Sequence, residues 1–165
     1  MKKVLLTTIA FALLMLSFSS CGDDDDPTKP VIENLIPTEG QSLQIGKTIH
    51  FEVDLSDEVG LRKYLINIHN NFDGHGNHKS AGSEIPEGTQ PFEFNGSWMT
   101  DDTGESLEGQ KKVHIKHFEI TIPETVKGEP TSPGKYHFLL QVINKDGRQT
   151  VASRNIELTN EEIGE

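Results

Sequence analysis

Past residue 30 the chain alternates apolar and polar residues with period two, the pattern of strands that bury one face. Thr48 to Leu55 alternates most cleanly: Phe51, Val53 and Leu55 fall on one side, His50, Glu52 and Asp54 on the other. Leu61 to His69 repeats the pattern, with Tyr64, Ile66 and Ile68 opposed to Leu65, Asn67 and His69. In Lys135 to Asn144 the expected core face is Tyr136, Phe138, Leu140 and Val142. Val31 to Ile36 reads as a first edge strand, ended by the turn Pro37-Thr38-Glu39-Gly40, and Gln149 to Leu158 as the last strand. Between the last two strands, Lys145-Asp146-Gly147-Arg148 reads as a hairpin turn of type I′, the geometry an Asp-Gly pair favours. Lys111 to Ile122 is out of phase with itself. Val113 and Ile115 share one face, while Phe118, Ile120 and Ile122 share the other, and a bulge near Lys116 would reconcile them.

The connections are polar and rich in glycine and proline. Ser56 to Gly60 is a turn, and Pro123 to Gly134 is a longer Pro/Gly connection. Asn70 to Gln110 is a long polar excursion with one expected short strand, Pro91 to Trp98, and turn chemistry at Asp101-Asp102-Thr103-Gly104. A loop of that size in a small domain is functional or disordered. About seven short strands without a strong helical period predict an all-β fold, a β-sandwich with a long insertion between the third strand and the later ones.

The first thirty residues follow different rules. Met1 to Ser20 has a charged start (Lys2, Lys3), an apolar run from Val4 to Leu16 and small residues before Cys21, as an export signal does. Phe18-Ser19-Ser20-Cys21 resembles the lipobox of bacterial lipoproteins, with Phe18 where leucine is usual. That resemblance implies thioether lipidation of Cys21, the only cysteine, and a stable hold on a bilayer through several acyl chains. Residues 21–30 then form the lipidated cysteine and an acidic tether, Asp23 to Asp26. This run is similar to the surface-export signal of Bacteroidetes lipoproteins, which implies display at the outer-membrane surface, with the periplasmic face as the alternative. Residues 31–158 make the sandwich and 159–165 an acidic tail.

The chain has 165 residues and a net charge of −11; past residue 20 it carries thirteen basic against twenty-six acidic side chains, a net −13. That balance excludes a nucleic-acid partner, whose phosphates need basic surface. One cysteine excludes an internal disulfide and any multi-cysteine zinc site.

Two stretches resemble bacterial immunoglobulin-like domains: Ser56-Asp57-Glu58-Val59-Gly60-Leu61 at the turn between second and third strands, and Gly134-Lys135-Tyr136 leading to Lys145-Asp146-Gly147 at the closing hairpin. More closely, the mature chain resembles a Bacteroidetes lipoprotein family known as a domain of unknown function, number 4625. The residues that carry this resemblance are the Asp57 to Leu61 turn, the segment from Ile68-His69 to His78, and Gly134-Lys135-Tyr136-His137-Phe138. It implies an immunoglobulin-like fold and brings no established activity.

Candidate chemistry centres on histidine. Ile68-His69-Asn70-Asn71-Phe72-Asp73-Gly74-His75-Gly76-Asn77-His78 holds three imidazoles and a carboxylate in a glycine-hinged segment. Imidazole nitrogens are common ligands for zinc and copper. In an immunoglobulin-like sandwich the third and sixth strands are antiparallel neighbours. His69, at the end of one, and His137, at the start of the other, are then expected side by side on the outward face. His69, His75, His78 and His137 form the expected metal set, with Asp73, His114 and His117 as lesser candidates. Separated by three, His114 and His117 face opposite sides of a regular strand. His50 lies on the other sheet and reads as surface. Calcium is the less favoured metal reading, from Asp54, Asp57 and Glu58 at one turn and Asp101 and Asp102 at another, without EF-hand spacing. No nucleophile elbow, H-E-x-x-H helix or phosphate-cradling glycine loop points to an enzyme. The expected function is a lipid-anchored envelope binding protein with a zinc or copper site. The alternative is a metal-free recognition module for a protein or glycan, with Trp98 and its neighbours Phe92 and Phe94 as contacts or as core of an extra strand.

Overall fold

The computed structural model describes residues 29–72 and 84–164. Ten strands occur among them: β1 (Val31–Ile36), β2 (Gln41–Gln44), β3 (Phe51–Ser56), β4 (Leu61–Asn70), β5 (Phe94–Trp98), β6 (Lys112–His117), β7 (Thr125–Val126), β8 (Glu129–Pro130), β9 (Gly134–Asn144) and β10 (Gln149–Thr159). The described residues contain no helix. Eight strands build two facing sheets, β1-β3-β6 and β2-β10-β9-β4-β5, while β7 and β8 pair as a small hairpin. All pairs in the two sheets are antiparallel except β2 with β10, which is parallel. β1 lies in one sheet and β2, immediately after it, in the other, so the chain crosses between layers at residues 37–40.

Period-two alternation becomes layer packing. Phe51, Val53 and Leu55 of β3, Tyr64, Ile66 and Ile68 of β4, and Tyr136, Phe138, Leu140 and Val142 of β9 are all buried and form one core with Ile115, Ile120, Ile122 and Leu158. Phe51 lies against Tyr64 and Phe138, ring centres 5.7 and 6.2 Å apart, at the centre of the sandwich. At the start of β9 the buried Tyr136 hydroxyl donates to the Ser132 carbonyl (2.9 Å) and accepts from the Phe92 amide (3.2 Å). It thereby ties the entry of the long excursion's strand to the β8–β9 corner, and both buried backbone groups find partners.

Three local expectations change. β2 has four residues, too few for alternation to register, and its place comes from pairing with the end of β10. The phase change after β6 falls at Phe118 and Glu119, two residues beyond Lys116. His117 continues the buried row of Ile115, and Phe118 is exposed. The Asp-Gly hairpin is not type I′. Only Gly147 has positive φ (79°), the Gly147 amide donates to the Asn144 carbonyl, and the Asn144 amide donates to the Arg148 carbonyl. This is a three-residue loop, a turn closed by one left-handed glycine. Asn144 accounts for the choice: its buried side-chain oxygen accepts from the Asp146 and Arg148 amides (3.1 and 2.9 Å), and its nitrogen donates to Asp57 (3.0 Å).

Candidate functional site

β4 and β9 run antiparallel through the middle of the five-stranded sheet, and their register sets His69 opposite His137. Both point away from the core, because Ile68 and Phe138, beside them in sequence, point in. Their rings meet edge to face with centres 5.3 Å apart and planes at 86°. The His69 Nδ1–H donates to Asn67 Oδ1. Asn67 is held the right way round for this, since its Nδ2 donates to Asn95 Oδ1 (2.6 Å) and points at the Phe94 carbonyl (3.5 Å). With Nδ1 as donor, the lone pair of His69 is on Nε2. A ligating histidine is oriented in the same way, by a hydrogen bond from its other nitrogen. Two imidazoles bound to one tetrahedral zinc, with nitrogens about 2.0–2.1 Å from the ion, have ring centres roughly 5 Å apart. The pair already stands at that spacing.

The remaining expected ligands are placed differently. Asp73, His75 and His78 lie outside the described residues, as does Cys21. His114 and His117 belong to the other sheet and face opposite ways. His114 is exposed on the outer surface, its Nδ1 2.8 Å from Asp54 and its Nε2 3.6 Å from Glu52. His117 is buried among Phe51, Trp98 and Tyr64, ring centres 4.8, 5.1 and 6.3 Å away, and its Nε2 has no hydrogen-bond partner. Burial lowers its pKa, against the opposing pull of Glu119 and Asp102. Among the described residues, no three His, Cys, Asp or Glu side chains are placed to hold a metal ion.

Sequence reading underrated the outer face of the three-stranded sheet. His50 Nε2 lies 2.8 Å from Glu52, whose carboxylate also meets Lys116 (3.2 Å), and the His50 ring stacks on exposed Phe118 at 4.9 Å. Asp54 joins the network through Asn34 and His114. The hydrogen bonds from His50 and Lys116 lower the Glu52 pKa, and those from Asn34 and His114 lower that of Asp54. The spacing of His50, Glu52 and Asp54, alternate residues on one outward row, was the available signal. The acidic turns are occupied by turn chemistry: Asp57 accepts from the Val59 and Gly60 amides, and Asp101 from the Thr103 and Glu105 amides. Trp98, half-buried on edge strand β5, stacks on Tyr64 at 5.1 Å with planes 8° apart and donates to Glu119 (2.8 Å), while Phe92 is buried and Phe94 packs on the core.

Sheet orders β1-β3-β6 and β2-β10-β9-β4-β5, with a first strand split between the layers and a tyrosine hydroxyl pinning the corner before the penultimate strand, define an immunoglobulin-like β-sandwich. Residues 19–159 match the family described as Domain of unknown function (DUF4625), and the chain belongs to that family. A comparison with curated proteins finds no match.

Proposed function

We propose that this is a non-enzymatic, lipid-anchored protein of the cell envelope, held by Cys21 at the outer membrane and binding zinc or copper through His69 and His137. The carrying observation is the cross-strand pair itself: two imidazoles at 5.3 Å, one of them oriented through Nδ1 by Asn67. The pair supplies two ligands. His75 and His78, six and nine residues after His69, are the nearest further imidazoles in the sequence, with Asp73 between. The ion is captured for handover or fixes the segment that follows β4. The metal-free recognition reading is less well supported, because Trp98, its expected anchor, stacks on the core and is hydrogen-bonded. Surface display rests on the acidic run after Cys21.

Elemental mass spectrometry of the untagged chain from Gly22 onward, after zinc or copper loading, tests the metal. One ion per chain is expected. Replacing both His69 and His137 by alanine should weaken binding at least about 100-fold, and Asn67→Leu about 10–100-fold through loss of orientation. Affinity should fall below about pH 6.5, where imidazoles protonate. Full binding by the double variant, or affinity independent of pH, would remove the histidine site. Lipidation is read separately, from the intact mass of the membrane-extracted protein and release of Cys21→Ser into the soluble fraction.

A further inference from the structure

The two outward sheet faces differ sharply in charge. On the three-stranded sheet, Glu33, Glu52, Asp54, Lys112 and Lys116 all lie on the outer rows. On the five-stranded sheet the register gives three successive rows across β5, β4, β9 and β10. The first is Ser97, Leu65, Gln141 and Val151. The second is Asn95, Asn67, Leu139 and Ser153. The third is His69, His137 and Asn155. None of these carries a formal charge, in a chain of which 25% of residues are charged. Leu65 and Leu139 are half-exposed and Val151 is 54% exposed, around a shallow hollow of about 490 Å³. Among the described residues, charges begin at the margins: Lys63, Lys135 and Glu157 on the strands, exposed Glu93 just before β5 in line with the third row, and Glu39 bonded to Asn155.

We propose that this uncharged face is a self-association surface, on which a second copy of the chain packs face to face about a twofold axis. Charge selects the occupant. Past residue 20 each copy carries a net −13, so copies repel, and this face lets them meet without burying like charges. Its polar groups suit a twofold contact, in which a residue of one copy meets a different residue of the other and the reverse: beyond the bonds they make within the chain, Asn95 keeps its Nδ2 donor and Gln141 its Oε1 acceptor for such a contact. Among the described residues the face carries no phenylalanine, tyrosine or tryptophan, so it lacks the aromatic platform on which a sugar ring would stack. Three rows on four strands span roughly 20 Å by 20 Å. In projection that is about half the ~800 Å² each side of a standard interface contributes, so the dimer is weak and concentration-dependent.

Analytical ultracentrifugation of the chain from Gly22 onward, which retains all described strands and the whole core, tests this in EDTA, so that the metal reading plays no part. In about 0.5 M salt a monomer–dimer equilibrium with Kd of roughly 10–100 µM is expected. In about 0.02 M salt it should weaken several-fold, since screening of the repulsion is lost. Leu139→Glu and, as a second variant less open to folding effects, Val151→Glu should each weaken it at least about 10-fold. Lys112→Glu, on the opposite face, should leave the chain dimeric in high salt. A monomer at all concentrations, a dimer that tightens as salt falls, or one unaffected by both Leu139→Glu and Val151→Glu would overturn the proposal. So would a dimer that forms only with added zinc, which would belong to the histidine pair.

Discussion

At the scale of single residues, the described histidines behave in three ways, and position decides which. His69 and His137 face out beside each other; His50 and His114 meet carboxylates on the opposite surface; His117 fills a core position among three rings. The third has a consequence for stability. Burial lowers the folded-state pKa of His117 below its ordinary 6.5, so the unfolded chain takes up a proton that the folded one resists. Stability from this residue is therefore full above about pH 6.5 and declines as pH falls from there toward the folded-state pKa. Urea midpoints measured between about pH 7.5 and 5 should show that decline, and His117→Phe should remove it. A decline of equal size in the variant would assign it to other groups.

At the scale of elements, the sandwich is closed at one end by turns that share atoms. Asp57, buried after β3, bonds the Val59 and Gly60 amides and, through Asn144, the hairpin between β9 and β10. Gly60 lies between them with φ of 114°, and a Cβ there would be 2.7 Å from the Cα of Gly109. Gly88 also has positive φ, 74°, but opens onto free space. Gly88→Ala should therefore cost about 1–2 kcal/mol, from backbone strain alone. Gly60→Ala should cost at least about 3 kcal/mol, because the strain is joined by a clash between two backbones. Chemical denaturation of both variants compares them directly; equal costs would mean the 56–60 turn can move away from Gly109.

At the scale of the whole molecule, protection should follow sheet position. β9 pairs with β10 on one side and β4 on the other along nearly its whole length, and its inward side chains are fully buried. Its amides should exchange slowest, at the rate of global unfolding, while those of the β7–β8 hairpin and the 99–107 turn exchange through local opening. Hydrogen exchange read by NMR checks this, and equal protection of β7 and β9 would contradict it. The uncharged face occupies the outside of this same rigid sheet. A surface used for association is thus carried by the most firmly held strands, and side chains on it need little ordering to bind.

The sequence by itself determined the strands that alternate over five or more residues, because period two fixes which side chains face the core wherever one face is buried. β3, β4 and β9 were legible for that reason, and with them the outward direction of His69 and His137. It also determined the two special turns, at Asp57 to Gly60 and Lys145 to Arg148, although not their geometry. Tertiary structure decided the rest. β2 is too short to carry a pattern and exists through its partner. The phase of β6 beyond His117 depends on which rings leave room in the core. The type of the last hairpin turn depends on Asn144, whose partner Asp57 is 87 residues away. Above all, the charge-free face is invisible along the chain, since its residues alternate with buried ones on four separate strands. Only sheet pairing, which sums side chains distant in sequence into one surface, makes it a feature.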